Sequence, residues 1–414
     1  MSVDLSVNLK GVKFKNPFLV GSGPTVKNLD QIKAAADSGW AGASIKLAID
    51  PFPYLNLPPR YRWLTREKIH IFTAEKRLKA EEALSLMEEC RKVRDDFVVI
   101  PTLTFDGEDY EGWGTLARRF VNAGARIIEL NMCCPNMSFN LASTGKETKK
   151  STGASLGNDL ENLPRVIRIV REAVSVPVIV KFFAEASTLS QSARLALEAG
   201  ADAVGIAGNI LGIPDIDIRR PRESIYRLQD QITLGCISGP WIRPVALKAT
   251  YNIRKALGPK GFIIGSGGVT DLESAVQQIM VGSDMVWICT ETMIRGFDWL
   301  PELLDGFEKY MAEMGYNSIR DFRDILLGNI TSAQDLTIHS GYAEVDPVKC
   351  NACGLCQRIG HCDAIGDDGG GSKSESKSGS KSGGKAVINR DKCLACSTCI
   401  DICPRKAINM KKTS

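Results

Sequence analysis

Short apolar runs alternate along most of the chain with longer stretches whose apolar positions recur every three or four residues. The short runs predict buried strands and the longer stretches amphipathic helices. Four runs are introduced alike: Ser38-Gly-Trp-Ala-Gly-Ala-Ser-Ile-Lys46, Ala123-Gly-Ala-Arg-Ile-Ile-Glu-Leu-Asn131, Ala199-Gly-Ala-Asp-Ala-Val-Gly-Ile-Ala207 and Val281-Gly-Ser-Asp-Met-Val-Trp-Ile-Cys289. Each has a glycine where a helix would stop, then a strand of buried type.

The other strands expected are Phe18–Gly21, Val98–Phe105, Val178–Phe183 and Phe262–Gly265. Helical sequence follows each of the eight, near 28–38, 75–95, 109–123, 158–174, 186–199, 240–257, 270–281 and 292–313. Eight such units predict an α/β fold, a (β/α)8 TIM barrel over residues 1–313. The alternative is an open doubly wound sheet, but Gly21-Ser-Gly-Pro lacks the third glycine of its usual first turn. Connections 48–74, 137–157 and 210–239 are longer than a barrel needs. All follow strands, which places them on the C-terminal face where barrel enzymes work. Met137–Gly157, rich in Ser, Thr, Lys and Gly, reads as a lid or as a solvated loop.

The fourth strand opens into Glu129-Leu-Asn-Met-Cys-Cys-Pro-Asn136. Pro135 has no N–H for a ladder, so the strand ends before it. Asn131, Cys134 and Asn136 then lie at a strand–loop junction, with Cys134 as the candidate proton donor. The alternative is that Cys133 and Cys134 are two core thiols.

Composition narrows the class. The chain has 414 residues, 44% hydrophobic and 24% charged, with a net charge of +4 that gives no reason to expect nucleic acid. No apolar run approaches the roughly eighteen residues of a membrane span. The first residues, MSVDLSVNLKGVKFKNPF, show no secretory h-region, so a cytoplasmic protein without disulfides is expected.

Of thirteen cysteines, eight fall between Cys350 and Cys403. Such a cluster points to metal. Cys393-x2-Cys396-x2-Cys399-x3-Cys403-Pro404 has the spacing of a bacterial [4Fe–4S] ligand run, whose fourth cysteine serves the other cluster. Cys350-x2-Cys353-x2-Cys356 opens a second run, with Cys362 five residues on and Asp363 in place of proline. Ala364-Ile365 and Ala407-Ile408 follow the two runs like the halves of a duplicated ferredoxin. One cluster is therefore assigned to Cys350, Cys353, Cys356 and Cys403, the other to Cys393, Cys396, Cys399 and Cys362. Two closed zinc sites are the alternative. A small α+β two-[4Fe-4S] ferredoxin-like domain is expected over 349–414, after a connection at 314–348. A Gly/Ser/Lys insert at 367–385 has the composition of a flexible coil.

A relay of single electrons needs a centre that also handles pairs, most simply a flavin. Gly265-Ser-Gly-Gly268 ends the seventh strand and Cys289-Thr290 the eighth. Barrels commonly bind phosphate there, through backbone N–H groups and a helix start. Gly267, Gly268, Cys289 and Thr290 are thus candidate flavin contacts, with Gly21 and Ser22 after the first strand and Ser238 and Gly239 after the sixth. Lys46 and Lys181 end strands, where a buried ammonium needs an electron-rich partner such as the flavin. Snorkelling to solvent is their alternative.

These residues resemble the catalytic part of dihydropyrimidine dehydrogenase, within the wider dihydroorotate dehydrogenase superfamily. The resemblance rests on Asn16-Pro17, Asn131-x-x-Cys134-Pro135, Ile237-Ser-Gly-Pro-Trp-Ile-Arg-Pro-Val-Ala-Leu247, the Gly-Gly of strand seven and the two-cluster tail. It implies FMN with a pyrimidine stacked on it, Cys134 as general acid/base, Asn131 holding substrate and flavin, and Lys46 and Lys181 on the flavin. A hydride would pass between flavin N5 and C6 of the ring, and a proton between Cys134 and C5. A free thiol, with a pKa near 8.5, is mostly protonated at neutral pH and can donate. Electrons would come from an NAD(P)H-oxidising flavoprotein subunit or a ferredoxin, since no nicotinamide fingerprint is present. A homo- or hetero-oligomer is expected.

The chain departs from that pattern where the family reads the pyrimidine with asparagines. Gly107-Glu-Asp-Tyr110 follows strand three, making Asp109 a candidate substrate contact. Gly208-Asn209 follows strand six, with Asn209 as another, and Asn136 is closer to the dihydroorotate branch. A site built for hydrogen bonds rejects poor matches strongly. The competing expectations are a different conjugated carbonyl or cyclic amide substrate, or an electron-transfer subunit of a larger flavoprotein complex.

Overall fold

The computed structural model describes residues 3–50, 60–73, 75–106, 109–135, 152–213, 215–226, 230–231, 234–369 and 384–413. The chain forms two compact units, Met1–Ile330 and Thr331–Ser414.

The first unit is the expected barrel. Its strands are β1 (Phe18–Val20), β2 (Gly42–Ser44), β3 (Val98–Ile100, continuing as Thr102–Thr104), β4 (Ile128–Met132), β5 (Val178–Phe183), β6 (Ala203–Ala207), β7 (Ile263–Ser266) and β8 (Met285–Ile288). All pair in parallel with their sequence neighbours, and β8 pairs with β1. Only Pro101 interrupts β3, because it has no N–H for the ladder. Its carbonyl still accepts from Glu129 N–H at 2.9 Å, so the ring closes across the break. Around it lie α1 (Leu29–Asp37), α2 (Ala80–Glu89), α3 (Tyr110–Asn122), α4 (Asn162–Ala173), α5 (Leu189–Glu198), α6 (Arg243–Leu257), α7 (Leu272–Met280) and α8 (Leu300–Met314). The repeated glycines Gly39, Gly124, Gly200 and Gly282 all have positive φ, the left-handed helix exit read from the sequence.

An antiparallel hairpin, Val7–Leu9 with Val12–Phe14, puts Leu9 and Phe14 into the apolar layer inside the barrel with Leu19, Ile179 and Met285. Trp287 fills the barrel centre, where a Cβ on Gly205 would lie 2.1 Å from its ring.

The first unit reaches beyond α8. Ile319 and Phe322 are buried in its core, within the segment expected to be a connection. Below the barrel, the fully buried Arg254 donates to the carbonyls of Gly258 (2.9 Å), Gly261 (2.6 Å) and Gly282 (2.6 Å) and to Asp284 (2.8 Å). Removing one partner of such a buried pair strands the other. Arg254→Met is therefore expected to destabilise the barrel by about 3–5 kcal/mol, read as a drop in the denaturation midpoint.

The long connections after β2 and β6 build a four-stranded antiparallel cap that was not foreseen. Its order is Ile210–Gly212, Gly235–Ser238, Ile69–Thr73, Arg60–Leu64. His70 pairs with Ser238, and Phe72 with Cys236.

The second unit is a pseudo-symmetric pair of halves. Gly341–Val345 pairs with Ile408–Lys412, and Ile365–Asp367 with Ala386–Ile388. The first of these strands lies in the stretch assigned by sequence to the connection. Ala407 carbonyl accepts from Asp346 N–H at 2.7 Å, and Ala364 carbonyl from Asn389 N–H at 2.8 Å, matching bonds in the two halves. Most of the Gly/Ser/Lys insert (370–383) and of the Met137–Gly157 loop (137–151) lies outside the described residues.

Candidate active site and iron–sulfur sites

The C-terminal mouth of the barrel, under the cap, is a cavity. Of the residues singled out by sequence, Gly21, Ser22, Asn131, Cys134, Lys181, Asn209, Ser238, Gly239, Gly267, Gly268, Cys289 and Thr290 line it. Two do not. Asp109 is spent as the N-cap of α3, its carboxylate accepting from Gly112 N–H at 2.9 Å. Capping suits Asp at a helix start, and Asp109 therefore serves helix initiation. Lys46 is buried behind the wall, in an ion pair with Glu75. Asn136 lies outside the described residues.

The geometry follows from the strands. Asn131 and Lys181 are register partners on β4 and β5, so their side chains stand together. Asn131 Oδ1 accepts from Cys133 N–H (3.3 Å) and Cys134 N–H (3.2 Å), fixing the turn that presents Cys134. Ala154 N–H donates to Cys134 carbonyl at 3.1 Å and holds the turn from the other side. Lys181 Nζ donates to Glu129 at 3.2 Å and sits 4.0 Å from the centre of the Trp287 ring. Glu129, fully buried, also accepts from Ser44 Oγ at 2.5 Å, and Ser44 accepts from the Trp287 indole at 3.0 Å. A buried carboxylate needs such partners.

Cys134 is half-buried and its thiol is held below the ordinary value. The Cys133 side chain hydrogen-bonds it; burial opposes, and the Arg77 and Lys46 cations add to the lowering. Cys133, fully enclosed, is pushed well up by that same bond and by burial. The Cys134 thiol thus lies below the ordinary value expected from sequence, first because Cys133 hydrogen-bonds it and then because Arg77 and Lys46 are near. Burial pushes the Cys289 thiol up to about 11.

The sequence reading missed the cap side of the cavity: His70, Phe72, Glu75, Arg77 and Cys236. The signal available was the length of connection 48–74 and the alternation in Ile69-His-Ile-Phe-Thr73. His70 is buried, stacked on Tyr61 with ring centres 5.4 Å apart, and its Nδ1 lies 3.4 Å from Ser238 Oγ. Burial lowers its pKa to about 4, so it is neutral at physiological pH. Glu75 accepts from Tyr61 Oη at 3.0 Å; burial raises its pKa, but Lys46, Arg77 and Tyr61 outweigh that and keep it ionised.

The mouth fits a flavin and a small ring by its donor set. Asn209 Oδ1 is buried without a hydrogen-bond partner, a position that a ligand N–H would satisfy. Gly267 and Gly268 have φ +111° and +72°, so the turn after β7 requires glycine.

In the second unit, two voids carry the thiols. The first is lined by Cys350, Cys353, Cys356 and Cys403, the second by Cys362, Cys393, Cys396 and Cys399. All eight are free thiols. Ala352 and Ala395 occupy matching places in the two runs, at φ +58° and +53°; Gly354 and Ser397 match again, at φ +68° and +61°. The two loops therefore share one strained path that turns sulfurs inward around each void. Among the described residues no set of His, Cys, Asp or Glu gathers tightly enough for a single metal ion.

The fold is a parallel barrel with a cysteine-bearing turn at its mouth, joined to a second unit with two thiol-ringed voids. The chain belongs to the dihydroorotate dehydrogenase family, whose model matches residues 4–311. A 4Fe-4S binding domain model matches residues 386–409. Among relatives, an NAD-dependent dihydropyrimidine dehydrogenase subunit, PreA, of Escherichia coli K12 is 26% identical over 86% of this chain and 85% of its own. A chloroplastic dihydropyrimidine dehydrogenase (NADP(+)) of Arabidopsis thaliana is 27% identical over 80% of this chain and 79% of its own. The catalytic subunit of a dihydroorotate dehydrogenase B (NAD(+)) of Pyrococcus abyssi is 28% identical over 78% of this chain and 99% of its own. In fold, the chain matches the crystal structure of an Eimeria tenella DHODH in complex with ferulenol, with a TM-score of 0.61 at 17% identity over 78% of this chain and 88% of that one. The protein is a flavin and iron–sulfur oxidoreductase of this family. No helix among the described residues is long and apolar enough to cross a membrane.

Proposed function

We propose that this protein interconverts a uracil- or thymine-like pyrimidine with its 5,6-dihydro form, using FMN in the barrel mouth and two [4Fe–4S] clusters in the second unit. The observation that carries the reading is the placement of Cys134 in one cavity with Asn131, Lys181 and Asn209. FMN, when bound, supplies hydride exchange with C6 of the ring. The chain's own residues do the rest. Cys134 moves the proton at C5: as thiol it gives one during reduction, and as thiolate it takes one during oxidation. Asn131 fixes the turn that carries Cys134. Lys181 and Glu129 hold a buried charge pair at the flavin's place, and Asn209 offers an acceptor to an N–H. The glycines after β7, with Ser238, Gly239 and Thr290, would hold the phosphate and ribityl chain. Electrons would enter through the clusters from a flavoprotein subunit or a ferredoxin, in the cytoplasm.

The pH dependence follows from the lowered Cys134 pKa. Reduction needs the thiol, so its rate should fall as pH rises through that pKa, earlier than for an ordinary thiol near 8.5. Oxidation needs the thiolate, so its rate should fall only as pH drops through the same value. Arg77→Gln removes a cation that lowers the pKa and should move both limbs to higher pH. Flavin reduction and reoxidation measured across pH in wild type and variant check this. Limbs that stay in place would dissociate Arg77 from Cys134.

A second reading, a different conjugated carbonyl or cyclic amide on the same machinery, is favoured by His70, Glu75 and Arg77 on the cavity wall. A substrate screen that follows flavin absorbance separates the two.

A further inference from the structure

The two thiol-ringed voids differ in what borders them. The first is bordered by Arg405 and, among the described residues, by no carboxylate. The second is bordered by Lys392 and His361 but also by Asp363. Around the first, Cys353 is exposed, Leu355 is 39% exposed and Val348 is 90% exposed. Lys349, next to Cys350, and Lys406, next to Arg405, are exposed as well. Against these cations stand Asp346, 3.7 Å from Lys349 and also accepting from Val348 N–H at 2.9 Å, and the exposed Asp401, two residues before Cys403. The rim is thus net positive, with apolar side chains at an exposed ligand sulfur. At the second void Leu394 is 75% exposed, but Asp363 and the exposed Asp391 offset Lys392, and the exposed Arg390 is paired with Glu344 at 3.4 Å. Across 331–414 there are twelve Lys and Arg against nine Asp and Glu.

Short-lived electron-transfer contacts are small. They need close approach to the redox centre, which exposed apolar groups at the sulfur permit, and orientation, which opposite charge supplies. We propose that the rim of the first void is the surface through which electrons enter, and that the partner docking there is an acidic one-electron carrier protein. One electron leaves the reduced carrier, which becomes oxidised, and reduces the cluster; no bond forms and no proton moves. The proposal rests on the reading of Cys350, Cys353, Cys356 and Cys403 as a [4Fe–4S] site.

The test uses the full-length, cluster-loaded protein under anaerobic conditions with reduced plant-type ferredoxin, an acidic carrier, as probe. Stopped flow gives the second-order rate constant for oxidation of the carrier. The expected result is a rate that falls steeply with added salt, and that falls by roughly tenfold or more at low salt in a Lys349→Glu/Lys406→Glu variant. Iron content and the EPR spectrum of that variant stay those of wild type, which shows the cluster intact. A salt-independent wild-type rate, an unchanged rate in the double variant, or an equal loss in Lys392→Glu would each overturn the proposal. Absence of a cluster signal that depends on Cys353 would instead overturn the underlying reading.

Discussion

Cys134→Ser is expected to slow reduction of the flavin by a dihydropyrimidine by about 10²–10⁴-fold, the usual loss on removing a general acid or base. A serine hydroxyl fills nearly the same space, so flavin content and thermal stability should not change. What changes is acidity: the Cys133 bond and the Arg77 and Lys46 cations bring a thiol, not an alcohol, into the useful range. Cys133→Ser is the informative companion. Cys133 is buried, hydrogen-bonded to Cys134, and its own thiol is pushed far up by that bond and by burial, so it acts on Cys134 as a hydrogen-bond partner. Its substitution should spare most of the rate while displacing the pH limb set by Cys134. Equal losses in the two variants would mean that the vicinal pair acts as a packing unit. A wild-type rate in Cys134→Ser would remove the proton-transfer role.

Loss of a cluster is the second large effect. Cys403→Ala and Cys353→Ala are expected to remove the same EPR signal, although the two residues lie fifty positions apart, because both line the first void. Cys362→Ala and Cys396→Ala are expected to remove the other. Each variant should retain about half the iron, as expected for two four-iron sites. Turnover with an electron carrier should fall to background in both groups. Flavin reduction by the dihydropyrimidine alone should persist, because Cys134, Asn131 and Lys181 are untouched. Should Cys403→Ala and Cys399→Ala abolish one common signal, the crossed assignment would be wrong. Iron replaced by two zinc ions per chain would refute the cluster reading altogether.

Much of this was legible because the barrel repeats its own signal. Glycine at the helix exit followed by a buried run occurs four times, and each time the left-handed conformation is there. That register carried Asn131, Cys134 and Lys181 to one mouth. The cysteine spacing was equally informative, since a CxxCxxC run constrains its loop tightly.

What stayed hidden depends on contacts between segments distant in sequence. The cap forms only when connections after β2 and β6 pair with each other, so the alternation in Ile69–Thr73 could suggest a strand but not that His70, Glu75 and Arg77 share a cavity with Cys134. Asp109 has two uses open to it, helix cap and ligand, and only the backbone decides between them. The strand Gly341–Val345 precedes the first ligand cysteine and meets its partner, Ile408–Lys412, near the far end of the chain. Ile319 and Phe322 lie beyond the last barrel helix, and only their burial ties them to the first unit.

The central claim is that a pyrimidine exchanges electrons with the flavin at Cys134. The most direct test is anaerobic titration of the oxidised protein with dihydrouracil, dihydrothymine and dihydroorotate, following flavin absorbance. The account predicts that dihydrouracil or dihydrothymine bleaches the flavin, and that the matching pyrimidine restores its colour. Bleaching by dihydroorotate alone, or by none of the three, would contradict it.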